Sequence, residues 1–157
     1  MVEQAIRGGI ALKSAILLLG FNRTDYFQQV LSSLENNSEA FEHDLHVYLD
    51  GGPKSRQDEI VNLVKASKFQ NVTYVLRDEN WGIGRHLIDA RRTLFDKLGY
   101  DRILLLEDDM VLAPNYVKTV FDISDWASNY DDIGTVMAYN INHDEPEIQA
   151  TQTNHVI

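Results

Sequence analysis

The sequence predicts an α/β domain in which helices cover both faces of a mostly parallel sheet. Short, unbroken apolar runs such as Ala15–Leu19 and Ile103–Leu106 are typical of strands buried on both faces. Between such runs, apolar residues recur at helical spacing, so strand and helix alternate along the chain. The 157 residues fit one domain, given a usual size of about 100–200 residues per domain.

The predicted strands lie where apolar runs meet turn residues. We predict five of them, at residues 15–19, 45–49, 72–76, 103–106 and 133–138. The second ends at Asp50-Gly51-Gly52-Pro53, a strong turn signal. The fourth is the most hydrophobic and runs directly into Glu107-Asp108-Asp109.

Four helices are predicted between these strands. Thr24 is the expected cap of the first, and the segment Ser55–Asp58 resembles a capping box for the second. The third follows the Trp81–Gly84 segment and is expected to end at Gly99. Its expected buried face consists of Leu87, Ile88, Leu94, Phe95 and Leu98. The fourth follows Pro114.

Composition narrows the possible functions. The chain has 14 basic and 24 acidic residues, for a net charge of −10, which disfavours a nucleic acid or an anionic membrane as partner. The acidic balance fits either a solvated surface or a carboxylate site that holds a cation. The absence of cysteine excludes disulfides, a Cys-ligated zinc site and a Cys nucleophile.

Targeting signals are not apparent in the sequence. We find neither a signal peptide nor an apolar run of about 20 residues, so we expect a soluble, cytoplasmic protein without a transmembrane segment. Residues 143–157 are polar and lack periodicity, which indicates a loop or a disordered tail.

Three consecutive carboxylates, Glu107, Asp108 and Asp109, follow the fourth strand. Like charges this close repel one another, and a partly buried carboxylate needs a cationic partner or a raised pKa. Oxygen ligands suit Mg²⁺ or Mn²⁺ shared with substrate phosphates. The alternative is a strand-end cluster in which one Asp caps the turn and the others face water.

Three other polar residues follow predicted strands, and each allows two interpretations. Arg23 could contact a phosphate or a base, or could be a surface residue. Asp50 could accept a hydrogen bond from a nucleobase or a ribose, or could belong to the Gly-Gly turn. His86 could face a ligand or could be a satisfied, partly buried histidine.

Several nucleotide and nucleophile motifs are not found in this sequence. Leu87 stands where the third Gly of a G-x-G-x-x-G fingerprint would follow Gly82 and Gly84, so a dinucleotide fold is disfavoured. There is also no P-loop and no G-x-S-x-G elbow.

Five stretches of the chain resemble the nucleotide-binding half of a GT-A glycosyltransferase. They are AILLLGFNR at 15–23, VYLDGG at 47–52, RHLIDARRTLF at 85–95, ILLLEDDMVLAPNYV at 103–117 and VMAYN at 136–140. The nearest family is the β-1,2-N-acetylglucosaminyltransferase I type, with a looser likeness to the inverting family 2 enzymes. The resemblance implies a GT-A fold, a Rossmann-like, mostly parallel sheet, in a domain spanning residues 1–142.

The resemblance also implies roles for the candidate residues. Asp109 would coordinate the Mn²⁺ or Mg²⁺ that bridges the donor diphosphate, and Asp108 would lie near the ribose or a metal-bound water. Glu107 matches a residue that points toward the sugar or a structural partner. Positions around the uracil and diphosphate of a UDP-sugar are matched by Arg23, Asp50 and His86.

We therefore expect a metal-dependent glycosyltransferase domain that transfers a hexose or N-acetylhexosamine from a UDP-sugar by an inverting route. The acceptor, whether glycan, glycolipid or protein, is not identified. The family's catalytic base and acceptor-binding half lie downstream of these stretches, so we expect the base outside this chain. The alternatives are a non-catalytic UDP-sugar-binding module and a nucleotidyltransferase, which would carry a Gly-rich basic loop where Phe21-Asn22-Arg23 stands.

Overall fold

The computed structural model describes residues 12–137, in which strands and helices alternate as predicted. The strands are β1 (Ser14–Gly20), β2 (Asp44–Leu49), β3 (Val72–Leu76) and β4 (Arg102–Glu107). The α-helices are α1 (Thr24–Glu35), α2 (Lys54–Ala66), α3 (Gly82–Arg92) and α4 (Tyr116–Ala127). A 3₁₀ helix (Ser38–Glu42) precedes β2, and a π-helical segment (Thr93–Lys97) extends α3.

The four strands form one parallel sheet in the order β3-β2-β1-β4. Leu18 at the centre of β1 lies opposite Val47 on one side and Leu106 on the other. Because every pair is parallel, the carboxyl ends of all four strands lie at the same edge, where α/β proteins bind ligands. The predicted α/β fold class is confirmed.

Alternating side chains of β1 separate two apolar layers. Ile16 and Leu18 pack with residues of α1, α2 and α4, including Phe27, Ile60 and Val117. On the opposite face, Ala15, Leu17 and Leu19 pack with Tyr48, Ala90, Leu94 and Tyr100. Three helices thus cover one face, whereas α3 and its π-helical extension cover the other.

Both expected helix caps are wrong by one position or more. Arg23 and Pro53 occupy the cap positions of α1 and α2, and neither cap makes a side-chain hydrogen bond to its helix. The backbone is already helical at Thr24 and at Lys54. In α1, Arg23 O accepts a hydrogen bond from Phe27 N at 2.9 Å, and in α2, Pro53 O accepts one from Arg56 N at 2.9 Å. The Thr24 hydroxyl instead donates to Glu59 at 2.9 Å, which links α1 to α2.

The predicted buried face of the third helix is correct only in part. Leu94 is buried and Leu87 and Phe95 are partly buried, but Ile88 is 55% and Leu98 42% exposed. His86 and Ala90 face the sheet, which places Ile88, midway between them, on the opposite side of the helix. Leu98 is the C-cap residue that follows the π-helical segment, where the helix ends and its apolar face stops. Gly99 ends the segment as predicted, with a left-handed φ of 66°.

The predicted fifth strand is wrong within the described residues. Residues 133–137 form no regular structure, and Met137 is 78% exposed. A strand requires a backbone ladder, and in the described range β4 is bonded only to β1. Ala138, the rest of the VMAYN stretch and the predicted tail at 143–157 lie outside the described residues.

None of the helices between residues 12 and 137 has the length and apolar character needed to cross a bilayer.

Candidate functional site

The loops after β1, β2 and β4 meet at the carboxyl edge of the sheet. Asp50 N donates to Gly20 O at 3.0 Å, which joins the loops that follow β1 and β2. Leu19 pairs in register with Glu107, so the β1 loop also lies beside the acidic segment. Sheet order therefore gathers polar residues that are up to 86 positions apart in the sequence.

Arg23 joins two of the three predicted carboxylates. Its guanidinium Nη2 donates to Asp108 Oδ1 and, at 3.1 Å, to Asp109 Oδ2. The hydrogen bond to Asp108 raises the pKa of Arg23 further above its usual value, so the guanidinium stays charged. We call these three residues the Arg23 cluster.

Burial differs sharply between the two carboxylates of the Arg23 cluster. The Asp108 side chain is only 6% exposed, whereas that of Asp109 is 47% exposed. A buried carboxylate without a cation would be costly, so Arg23 supplies the charge that Asp108 needs. Of the strand-end alternative, Asp109 has the expected exposure to water, whereas neither carboxylate accepts a hydrogen bond from a backbone amide of the turn among the described residues.

Glu107 contributes differently from its neighbours. It is the last residue of β4 and is partly buried, and its carbonyl accepts from Met110 N at 3.2 Å. Within residues 12–137 its carboxylate makes no ion pair with the Arg23 cluster. The structure therefore brings together Arg23, Asp108 and Asp109, and leaves Glu107 beside them.

The donor set fits a hard divalent cation that is completed by a ligand. In the described range, no group of three or more His, Cys, Asp or Glu residues is arranged to hold a metal ion. The two clustered carboxylates offer oxygen atoms only, which suits Mg²⁺ or Mn²⁺ bound through one or two carboxylates together with substrate phosphates. Arg23 contacts only one oxygen of Asp109, which leaves its second oxygen available as a ligand.

Asp50 makes three hydrogen bonds with backbone amides. Its Oδ1 accepts from Gly51 N at 2.9 Å and from Trp81 N at 2.8 Å, and its Oδ2 accepts from Gly82 N at 2.9 Å. The carboxylate therefore caps α3 from a neighbouring loop and places negative charge at its N-terminus. Since a carboxylate has about four acceptor positions, Oδ2 retains capacity for one more donor.

Gly51, which belongs to the predicted turn, and Gln57, which was not predicted as a site residue, hold the Asp50 loop in place. A Cβ at Gly51 would lie 2.0 Å from the carbonyl carbon of Glu79, so only glycine fits there. Gln57 is buried, and its amide donates to Asp50 O at 3.1 Å and to Arg77 O at 2.8 Å. The sequence signal that could have identified Gln57 is its position three residues before the buried Ile60, which places this polar residue on the inward face of α2.

His86 lies in α3 and is 1% exposed. Its Nε2 lies 3.3 Å from Tyr48 O, and because a carbonyl only accepts, Nε2 is the donor. Burial lowers the pKa of the imidazole, so the ring is neutral near pH 7 and Nδ1 is an acceptor. Nδ1 has no hydrogen-bond partner among the described residues, which is uncommon for a buried polar atom.

The candidate residues thus form two groups at one edge. The Arg23 cluster lies at the ends of β1 and β4, whereas Asp50 and His86 lie between β2 and α3. Within residues 12–137, no direct hydrogen bond or ion pair connects the two groups. The hydrogen bond between Asp50 N and Gly20 O joins the loops that carry the two groups.

The fold of this chain, a parallel sheet with polar loops at its carboxyl edge, is found in a solved structure. The chain is similar to the crystal structure of a candidate nucleotide-diphospho-sugar transferase from Desulfovibrio desulfuricans G20, with a TM-score of 0.51 and 16% sequence identity. The match covers 71% of this chain and 54% of that one, so the chain spans about half the length of that structure. No protein-family model matches the chain, and no curated protein matches it.

Proposed function

We propose that this domain binds a UDP-sugar with a divalent cation and transfers the sugar, a hexose or N-acetylhexosamine, to an acceptor by an inverting route. The observation that carries the proposal is the Arg23 cluster at the carboxyl edge of a sheet with the nucleotide-diphospho-sugar transferase fold. The quoted resemblance to the β-1,2-N-acetylglucosaminyltransferase I type supports UDP and inversion.

The Arg23 cluster would bind the diphosphate end of the donor. Asp109, which is half exposed, would hold Mn²⁺ or Mg²⁺, with Asp108 beside it. When bound, the cation would neutralise the charge that develops on the departing UDP. Arg23 would then exchange its carboxylate contacts for phosphate oxygens, which a guanidinium binds equally well.

Asp50 and His86 would bind the nucleoside end. The unpartnered Nδ1 of His86 is a buried acceptor, and it would suit a uracil N–H or a ribose hydroxyl once a local movement of α3 exposes it. The remaining acceptor position on Asp50 Oδ2 would suit a second such donor. Glu107 would lie nearest the sugar.

A second candidate function is a binding module that holds UDP-sugar and metal but needs another segment for turnover. The site residues described above account for binding of donor and metal, and none of them is assigned as a catalytic base, which is the arrangement that this candidate requires. The two candidates share the same donor site and differ only in catalysis.

Calorimetric titration of UDP with and without Mn²⁺ tests the donor site. We expect Mn²⁺ to tighten UDP binding in the native chain and to have no such effect in Asp109→Ala. Asp58→Ala is the matched control, since it removes an exposed carboxylate that is paired with Lys54 on α2. UDP binding without metal dependence, or an Asp109→Ala variant that behaves as the native chain does, would overturn the metal assignment.

Turnover separates the two candidates. Release of UDP from UDP-sugars, with and without a panel of acceptors, is expected if the chain is a transferase. Metal-dependent UDP binding with no sugar release would favour the binding module.

A further inference from the structure

The outer face of α3 differs in charge from the rest of this acidic protein. Between Gly82 and Lys97 the chain carries four of its 14 basic residues and only two of its 24 acidic residues. The basic residues are Arg85, Arg91, Arg92 and Lys97, and all four are exposed. None of them forms an ion pair with another described residue.

Large apolar side chains are exposed on the same element. Ile83 is 59%, Ile88 55% and Leu98 42% exposed. At about 1.5 Å per residue, they are spread over about 22 Å of helix. Of the three, Ile88 shares the outer side of α3 with Arg85 and Arg92, three and four positions away, and an apolar residue beside basic ones is typical of helices that lie at the surface of a bilayer.

Trp81 is the aromatic part of this surface. The guanidinium carbons of Arg77 and Arg85 lie 4.0 and 3.8 Å from the centre of its ring, within cation–π range. A depression of ≈ 470 Å³ is lined by Trp81, Arg85, Ile88, Asp89 and Arg92. We call Trp81, Arg85, Ile88 and Arg92 the α3 outer face.

Helix α2 provides an internal comparison. It has three basic residues, of which Lys54 is paired with Asp58 and Arg56 with Glu59, while Lys65 has no ion pair with another described residue. None of its apolar residues is among the exposed large side chains. Unpaired cations and exposed apolar side chains therefore coincide on α3 and not on α2.

We propose that the α3 outer face docks the protein on the surface of an anionic lipid bilayer. The basic side chains would contact lipid phosphates, while Ile88 and the Trp81 ring would enter the headgroup region. The net charge of −10 does not prevent this, because charges more than about 8 Å apart are largely screened at physiological salt. The proposal does not depend on the proposed function.

Flotation with lipid vesicles tests this surface. We expect the native chain to bind vesicles of phosphatidylcholine mixed with phosphatidylglycerol, to bind phosphatidylcholine vesicles poorly, and to dissociate at high salt. Arg85→Glu with Arg92→Glu should weaken partitioning at least about tenfold, since each basic residue near an anionic surface contributes about 1 kcal/mol. Ile88→Asp tests the apolar contact separately and should also reduce binding.

Lys54→Glu with Lys65→Glu on α2 is the matched control, with the same change in net charge. It should reduce partitioning far less than the α3 variant, while circular dichroism verifies that both are folded. Native protein that does not bind anionic vesicles, or an α2 variant as defective as the α3 variant, would overturn the proposal. Binding to poly-glutamate but not to vesicles would assign the face to an acidic polypeptide and would also overturn it.

Discussion

Two aspartates at strand ends show how different the two halves of the site are. Asp50 is 6% exposed and bonded to three backbone amides, whereas Asp109 is half exposed and, among the described residues, bonded only to the half-exposed Arg23 side chain. The backbone contacts of Asp50 cannot be exchanged without disturbing α3. The contact between Arg23 and Asp109 can be given up at little cost, which frees Asp109 for a cation and Arg23 for a phosphate. The same residue type thus stabilises the fold in one half and is available to a ligand in the other.

The largest effect on stability is expected for Asp50→Ala. The substitution leaves Gly51 N and Trp81 N without their acceptor, leaves Gly82 N with Asn80 Oδ1 alone, and removes the charge at the start of α3. We expect the free energy of unfolding to fall by about 3–5 kcal/mol, because hydrogen bonds to charged groups contribute about 1.5–3 kcal/mol each. Urea denaturation measures this, and a loss below about 1 kcal/mol would contradict the capping role.

Acidification is expected to have an intermediate effect on stability, because it protonates His86. Its pKa is depressed below the usual 6.5 by burial, so below that pH the unfolded state binds more protons than the folded state. Stability should therefore be fully present above pH 6.5 and should fall as the pH drops toward the folded pKa. His43 and His46 have pKa values depressed by burial as well, so they add to the same trend.

The urea midpoint followed from neutral pH down to about pH 5 measures this dependence. His86→Gln should reduce the slope, and His46→Gln should reduce it by a separate amount, since burial also depresses the pKa of His46 at its own position in β2. If His86→Gln has the same slope as the native chain, His86 is not buried in its neutral form.

The smallest effect on stability is expected for Asp109→Asn. Arg23 and Asp109 are both about half exposed, and exposed ion pairs contribute little, so we expect a change of about 0.5 kcal/mol or less. The same variant should lose the metal dependence of UDP binding. A large loss of stability with unchanged UDP binding would reverse the comparison between Asp50 and Asp109.

Strands and helix ends were predictable from the sequence where interactions between residues close in the chain determine them. The apolar run of β4 and the polar residues after it indicated a buried strand that ends at a ligand edge. Gly99 was recognised as a helix end because a left-handed φ favours glycine. The outward position of Ile88 was not recognised, because apolar character alone does not say which side of a helix meets the sheet.

The sequence by itself determined the alternation of strands and helices, the parallel sheet and the identity of the polar strand ends, since spacing and turn residues act over a few positions. Only the tertiary structure decided their partners. Strand order placed β4 beside β1, which brought Arg23 to Asp108 and Asp109. The packing of α3 on the sheet placed its N-terminus against Asp50 and its Ile88 side chain outward. These contacts depend on which elements become neighbours in the fold.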